Sequence, residues 1–192
     1  FEGYALYPPL TVRDNIAFSL MREKISKEKV DSKVAEVAEL LEITDILERY
    51  TPSISGGQQQ RVSLARALVR DSDALLLDEP MSQLEPQLRA VLRARVKDYI
   101  QHNNKTVIFV THDQTEAVAL ADKIAVMENG DLKQLASPYK ISSKPSNVFV
   151  ASFTWYSEGS LRFKIVKRSL ILYLSISVSK LSIIYWITIT FN

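Results

Sequence analysis

The stretch Ser53-Ile54-Ser55-Gly56-Gly57-Gln58-Gln59-Gln60-Arg61 puts a serine and two adjacent glycines directly ahead of a helix-forming run. Glycine leaves its backbone N–H unhindered and a helix start attracts anions, so residues 55–58 are a candidate phosphate site. Two further clusters can act on phosphate. The run Leu75-Leu76-Leu77-Asp78-Glu79-Pro80 ends in adjacent carboxylates. Asp78 suits Mg²⁺, bound directly or through water, and Glu79 suits polarising a water for in-line attack. His112, near the end of the apolar run 106–113, can hydrogen-bond a phosphate oxygen or the attacking water. Each feature alone has a plainer reading, as a strand ending in a charged turn or as a structural histidine. The usual phosphate cradle, G-x-x-x-x-G-K-[ST], does not occur; the glycines are Gly3, Gly56, Gly57, Gly130 and Gly159.

Those residues need elements to hold them. After the loop Tyr4-Ala5-Leu6-Tyr7-Pro8-Pro9-Leu10, residues 11–21 read as a short helix with Asp14 in its first turn. Over residues 27–43, Val30, Val34, Val37 and Leu41 recur at helical spacing opposite a Glu/Lys face. A third helix is predicted from the glycine pair to about residue 70, burying Val62, Ala65 and Leu68 and exposing Arg61, Arg66 and Arg70. Two short apolar runs, 74–80 and 106–113, then flank a long helix over 83–102. Strand, helix and strand form a parallel βαβ crossover, which brings Asp78, Glu79 and His112 to the carboxyl ends of neighbouring strands. Open α/β sheets bind ligands at that edge. A helix over 114–121, a strand over 123–127, an Asn129-Gly130 turn and a strand over 131–135 follow, the turn being a hairpin signal.

A chain of 192 residues has room for one good-sized domain, or a domain with an appendage. Hydrophobic residues at 46% and charged residues at 24% are ordinary for a soluble globular protein, and the average implies neither disorder nor a membrane bundle. The net charge of +2 argues for no particular partner, and no nucleic acid is expected. Absence of cysteine removes disulfides, thiolate chemistry and zinc–thiolate sites, and fits a reducing compartment. From about residue 154 acidic residues nearly vanish, and 170–192 is built of β-branched, aromatic and Ser/Thr residues. That tail is long enough to span a membrane, but Lys180 near its middle costs about 2.5 to 3.5 kcal/mol, and the composition favours strand over helix. An ill-defined, aggregation-prone tail is the expected outcome.

Taken together, these motifs resemble those of ATP-binding cassette (ABC) ATPases. Residues 53–61 are similar to the signature motif, 74–80 to the Walker B segment and 110–113 to the switch-histidine loop, all in the family's order. Residues 4–20 and 111–141 are similar to the ATPase subunits of sugar and glycerol-phosphate importers. The resemblance implies an α/β fold of partial P-loop NTPase type, a parallel sheet flanked by helices plus a helical subdomain. It divides the chain into 1–72 (glutamine-loop remnant and helical subdomain), 73–153 (partial RecA-like core) and 154–192 (divergent apolar tail). It also implies roles: Asp78 on the magnesium side, Glu79 as catalytic base, His112 as switch histidine, and Ser55, Gly56, Gly57 and Gln58 as signature residues. In such ATPases two cassettes pair head to tail, so the glycine pair would hold the γ-phosphate of ATP carried by a partner chain. Transmembrane permease subunits would be the other partners, and the cytoplasmic face of the cell membrane the place.

The departures are specific. The chain begins about at the family's glutamine loop, where Glu2 stands for the glutamine and could still approach Mg²⁺. The loop usually read Ser-x-Leu-Asp is Ser82-Gln83-Leu84-Glu85, one methylene longer at its acid. Beyond Phe153 the sequence leaves the family pattern, a join that a reading-frame change would produce. The resemblance therefore leads to a truncated importer ATPase that hydrolyses little ATP alone, with a sheet edge left unfilled and low solubility. Its alternative is a non-catalytic module lending its signature face to an intact cassette. A soluble ABC protein of DNA repair or translation would carry large insertions or tandem cassettes, which the sequence lacks.

Overall fold

The structure, a computed structural model, describes residues 5–21, 23–154 and 186–190, with residues 153–154 and 186–190 described by their backbone alone. Helix α1 spans Val12–Phe18, its start capped by Thr11, whose Oγ1 accepts from Asp14 N–H at 3.1 Å. It stops short of residue 21 because Ser19 and Leu20 turn their N–H groups to the carbonyls three residues back, tightening the last turn. Helix α2 spans Lys27–Leu40 and buries Val34 and Val37, with Leu41 buried just beyond. Its end is a Schellman reversal, in which Glu42 takes φ +53° and Ile43 N–H reaches Ala38 O at 2.9 Å. A glutamate in the usual glycine position hides that stop from sequence. Helix α3 spans Gly56–Leu68 and buries Val62, Ala65 and Leu68.

Strand β1 is Ala74–Asp78, helix α4 Pro86–His102 and strand β2 Thr106–Thr111. The predicted parallel pair is present, with Leu76 opposite Ile108 and Asp78 opposite Val110. Helix α4 starts three residues later than the sequence reading because Glu85 is its extended N-cap and Pro86 its first residue. Helix α5 (Gln114–Leu120) and strands β3 (Lys123–Glu128) and β4 (Asp131–Ala136) follow. Asn129 and Gly130 turn between β3 and β4 with φ +52° and +86°, as a primed hairpin turn requires. Helices α6 (Pro138–Ser143) and α7 (Val148–Thr154) were not legible as elements, being too short to show a period.

The sheet order is β1-β2-β5-β3-β4, where β5 is Trp186–Thr190. It is a mixed sheet, because β5 runs antiparallel to both β2 and β3, with Trp186 opposite Thr111 and Val126. Five residues of the apolar tail thus lie within the sheet rather than apart from it. Two strand spacings, about 10 Å, separate β2 from β3, and their facing N–H and C=O groups bond to β5 instead of to each other. The remainder of the tail, and with it the membrane-spanning reading, lies outside the described residues. Among the described residues no helix is long and apolar enough to cross a membrane. Among the described strands β1 is an edge, and its Leu76 is exposed.

One apolar cluster runs through α1, α2, α3, β1, α4 and β2, with Ile16, Leu41, Leu68, Leu92 and Phe109 fully buried. A smaller one joins α5, β3, α6 and α7 through Ala117, Ile124, Ile141 and Val150. The first cluster is the platform beneath the site residues.

Candidate functional site at the sheet edge

Ser55 caps α3 reciprocally. Its Oγ accepts from Gln58 N–H at 3.3 Å, while Gln58 Oε1 accepts from Ser55 N–H at 2.9 Å. The N–H groups of Gly56 and Gly57, the first two of the helix, have no intrahelical acceptor. Neither glycine takes a positive φ, which among glycines of the described residues only Gly130 does. The anion-facing donors are therefore those of an ordinary helix start and not of a left-handed concavity. The glycines answer a close approach instead: a Cβ on Gly56 would lie 3.0 Å from Gln83 Oε1, and one on Gly57 3.3 Å from the Gln83 carbonyl oxygen. The segment 82–84 rests on the start of α3; a Cβ on Gly56 asks the Gln83 side chain to move, and one on Gly57 asks the Gln83 backbone to give by a few tenths of an ångström.

At the strand ends, Asp78 closes β1 with its side chain exposed. Glu79 follows at φ +47°, a left-handed conformation that costs a residue with a Cβ about 1 kcal/mol or more. Its N–H still donates to Val110 O at 2.9 Å, so the parallel ladder anchors the turn. That conformation carries the carboxylate toward the end of β2. His112 N–H donates to Glu79 Oε1 at 3.1 Å, and His112 Nδ1 lies 2.6 Å from the same oxygen. Glu79 is partly buried, whereas His112 is 63% exposed at its side chain. A carboxylate and an imidazole thus meet at one edge, held by adjoining strands. Ser82 bonds the Glu79 carbonyl through Oγ at 3.2 Å. Glu85 is exposed at the start of α4, makes no capping bond, and is not among the groups that meet at Glu79. Glu2 lies outside the described residues.

Sequence reasoning missed the residues that join these pieces. Gln60, 4% exposed, donates from Nε2 to Glu79 O at 2.9 Å and to Ser82 Oγ at 3.1 Å, and accepts from Gln83 N–H at 2.9 Å. Arg89 donates from Nη2 to Ser82 O and Leu84 O and from Nη1 to Asp113 Oδ2 at 3.2 Å, tying the 82–84 segment to the residue after His112. Two predicted exposures are corrected. Arg61 is half-buried because Nη1 satisfies Leu41 O and Glu42 O at the end of α2, and Arg66 because it bonds Ala5 O and stacks over the Tyr7 ring. Their aliphatic stems cover apolar surface while the guanidinium finds carbonyls, which helical periodicity cannot reveal.

Asp113 caps α5, accepting from Thr115 N–H at 2.8 Å and Glu116 N–H at 3.1 Å. Burial pushes its carboxyl upward, but those two N–H bonds, the Arg89 bond and the charge of Arg93 outweigh it and hold it below the usual range. Glu116 goes the other way: burial raises it, the Thr111 hydroxyl bond lowers it, Asp113 raises it, and the two arginines lower it, leaving a net rise. Arg89 faces both carboxyls, with Nη1 3.2 Å from Asp113 Oδ2 and Nε 3.8 Å from Glu116 Oε1. A carboxyl depressed in the folded state adds stability above the unfolded value of 3.8, and that stability is lost as pH falls through the folded value. Asp113→Ala is expected to lower unfolding free energy by about 1 to 2 kcal/mol at neutral pH. In urea titrations the difference from wild type should shrink below about pH 4.

Comparison with known proteins shows what the chain is similar to. The ABC transporter family profile matches residues 1–82. The chain is 49% identical over 153 residues to the trehalose/maltose import ATP-binding protein MalK of Thermococcus litoralis, a match covering 80% of this chain and 41% of that protein. It is also 49% identical over 154 residues to the xylose/arabinose import ATP-binding protein XacJ of Haloferax volcanii, covering 80% and 40%. The chain thus spans about two fifths of the length of these relatives. Among solved structures, a dimeric post-hydrolysis ATP-binding cassette bound to ADP and Pi superposes with a TM-score of 0.64 at 27% identity, over 72% of this chain and 61% of the other. Residues 1–82 thus match the ABC transporter family, and over about 153 residues the chain is homologous to the ATP-binding subunits of sugar importers.

Proposed function

We propose that the chain is the ATP-binding and hydrolysing subunit of an importer for a sugar or related solute, in a form that turns over little ATP alone. The observation that carries this is the Glu79–His112 contact of 2.6 Å at the ends of two parallel strands. Glu79 Oε1 takes both His112 contacts, so the other carboxylate oxygen is the one that can accept the proton of an attacking water, and His112 keeps its other ring nitrogen for a phosphate oxygen or the water itself. Mg²⁺, when bound, supplies counter-charge to the phosphates. Asp78, exposed beside Glu79, fits such an ion, which takes one or two carboxylates and otherwise waters and phosphate oxygens. Among the described residues no group of three or more acidic, His or Cys side chains offers an all-protein cage.

The start of α3 serves a second chain. The N–H groups of Gly56 and Gly57 and the helix N-terminus favour the γ-phosphate of ATP carried by a partner cassette packed head to tail. Ser55, Gln58, Ser82 and Glu85 border that contact. The exposed Tyr7, Phe18 and Met21 beside α1 form the face for a transmembrane subunit, on the cytoplasmic side of the membrane. Asn15 holds that face in shape, accepting from Tyr7 N–H at 2.8 Å and donating to the carbonyls of Tyr7, Leu10 and Thr11.

One observation favours the second reading, a non-catalytic module pairing with an intact cassette: these 192 residues contain no G-x-x-x-x-G-K-[ST], while Ser55 and Gln58 cap the glycine-led start of α3 reciprocally. The test is co-purification with an intact sugar-importer cassette. Retention that requires ATP, and is lost in ADP, is expected under both readings. Phosphate release by these 192 residues without a partner is expected to stay at background under both readings, and release there that Glu79→Gln abolishes overturns both.

A further inference from the structure

We infer that Gln60 is a positioning residue that locks the Glu79 turn to the start of α3, so that the phosphate half-site and the Glu79–His112 pair are set as one unit. The inference rests on the reading of those two groups given under the proposed function. A glutamine on the inward face of a helix is an uncommon choice, because its amide must find partners or be left unsatisfied. Gln60 finds them all on one turn. Its Nε2 gives two bonds, to Glu79 O and Ser82 Oγ, and its Oε1 takes Gln83 N–H. The turn it grips contains the left-handed Glu79, a conformation that persists only where its surroundings over-determine it.

The same glutamine sits one helical turn from Gly56 and Gly57, against which Gln83 is packed at the limit of contact. A shift of α3 relative to the sheet therefore moves Gln83 directly, through the glycines, and moves the Glu79 carbonyl through Gln60. The Glu79 carboxylate is in turn fixed by His112 N–H and Nδ1. Helix start, turn, carboxylate and imidazole form one continuous chain of contacts, with Gln60 as the side chain that touches both the helix and the strained residue.

The test uses the 192-residue chain without nucleotide, read by NMR and amide exchange. In the wild type, the Gln60 side-chain amide protons and the Gln83 N–H are expected to be protected, and free exchange of either overturns the proposal. Gln60→Met keeps the volume and removes both links. It should cost Gln83 N–H about fivefold in protection and displace the His112 ring-nitrogen resonances. Gln60→Glu, read at a pH above the titration of the new carboxyl, still accepts from Gln83 N–H but cannot donate to Glu79 O. It should displace His112 while leaving Gln83 protected. His112 resonances at wild-type positions in both variants, or identical loss of Gln83 protection in both, overturn the proposal; a merely structural glutamine gives no such split. Should the methionine variant fail to fold, the glutamate variant and the wild-type protection decide. Because no nucleotide enters the experiment, its failure is distinct from failure of the hydrolytic reading, which phosphate release tests.

Discussion

Gly57→Val is expected to abolish the ability of this chain to support ATP turnover by an intact cassette, lowering phosphate release from the mixed pair by roughly a hundredfold or more. Two physical effects combine. A branched side chain on a Cβ already 3.3 Å from the Gln83 carbonyl oxygen must displace backbone, and overpacking of this kind costs about 1 to 3 kcal/mol. Displacing residues 82–84 also withdraws the start of α3 from any partner's phosphate, and loss of a single well-aimed donor to a developing oxyanion is worth about 10²- to 10³-fold. Phosphate release by the mixed pair measures the second effect, and urea midpoints of the isolated variant measure the first. Glu79→Gln in the same chain is expected to leave that turnover near its starting value, because in the proposed head-to-tail pair the complete site would use this chain's helix start and the partner's own carboxylate. The contrast separates the two halves of the site, since a variant that merely unfolded the chain would fail in both tests.

The second large effect concerns the chain by itself, which is expected to release phosphate at a rate indistinguishable from background. Phosphoryl transfer needs positioning and fixed counter-charge more than covalent chemistry. The described residues offer an acid and an imidazole for the water, and Asp78 for a cation, but the sequence has no glycine-rich loop with a lysine to hold the β- and γ-phosphates. Losing several such contacts at once multiplies factors of roughly 10² to 10³ each. Equilibrium binding of ATP should be weak for the same reason, so raising the nucleotide concentration should not restore turnover.

The portions of the fold legible from sequence are those where a local pattern and a buried face agree. Leu75 and Leu77 in one run and Val107 and Phe109 in the next alternate toward the core, and with α4 between them they allow little besides a parallel crossover. Ser55 with Gln58 three residues on is a capping box readable from spacing, and Asn129-Gly130 is a hairpin turn readable from dihedral preference. The convergence of Glu79 and His112 was legible to the level of the sheet edge. Their 2.6 Å contact was not, because it depends on Glu79 entering a left-handed conformation that no local preference selects. Gln60 and Arg89 escaped notice because their partners are backbone groups of a turn, which leave no mark on residue type. Strand β5 pairs across sixty or more positions of sequence with β3, as in Val126 with Trp186, and such non-local pairing has no local signature.

The most direct test of the composite site is steady-state phosphate release from the purified chain, measured alone, with an intact importer cassette, and again with Glu79→Gln. Background release alone, turnover in the mixture that exceeds the intact cassette's own, and no loss on Glu79→Gln are the expected results. Turnover by the chain alone that Glu79→Gln abolishes would contradict the account, because it would mean that these residues hold and hydrolyse ATP without a partner's cradle.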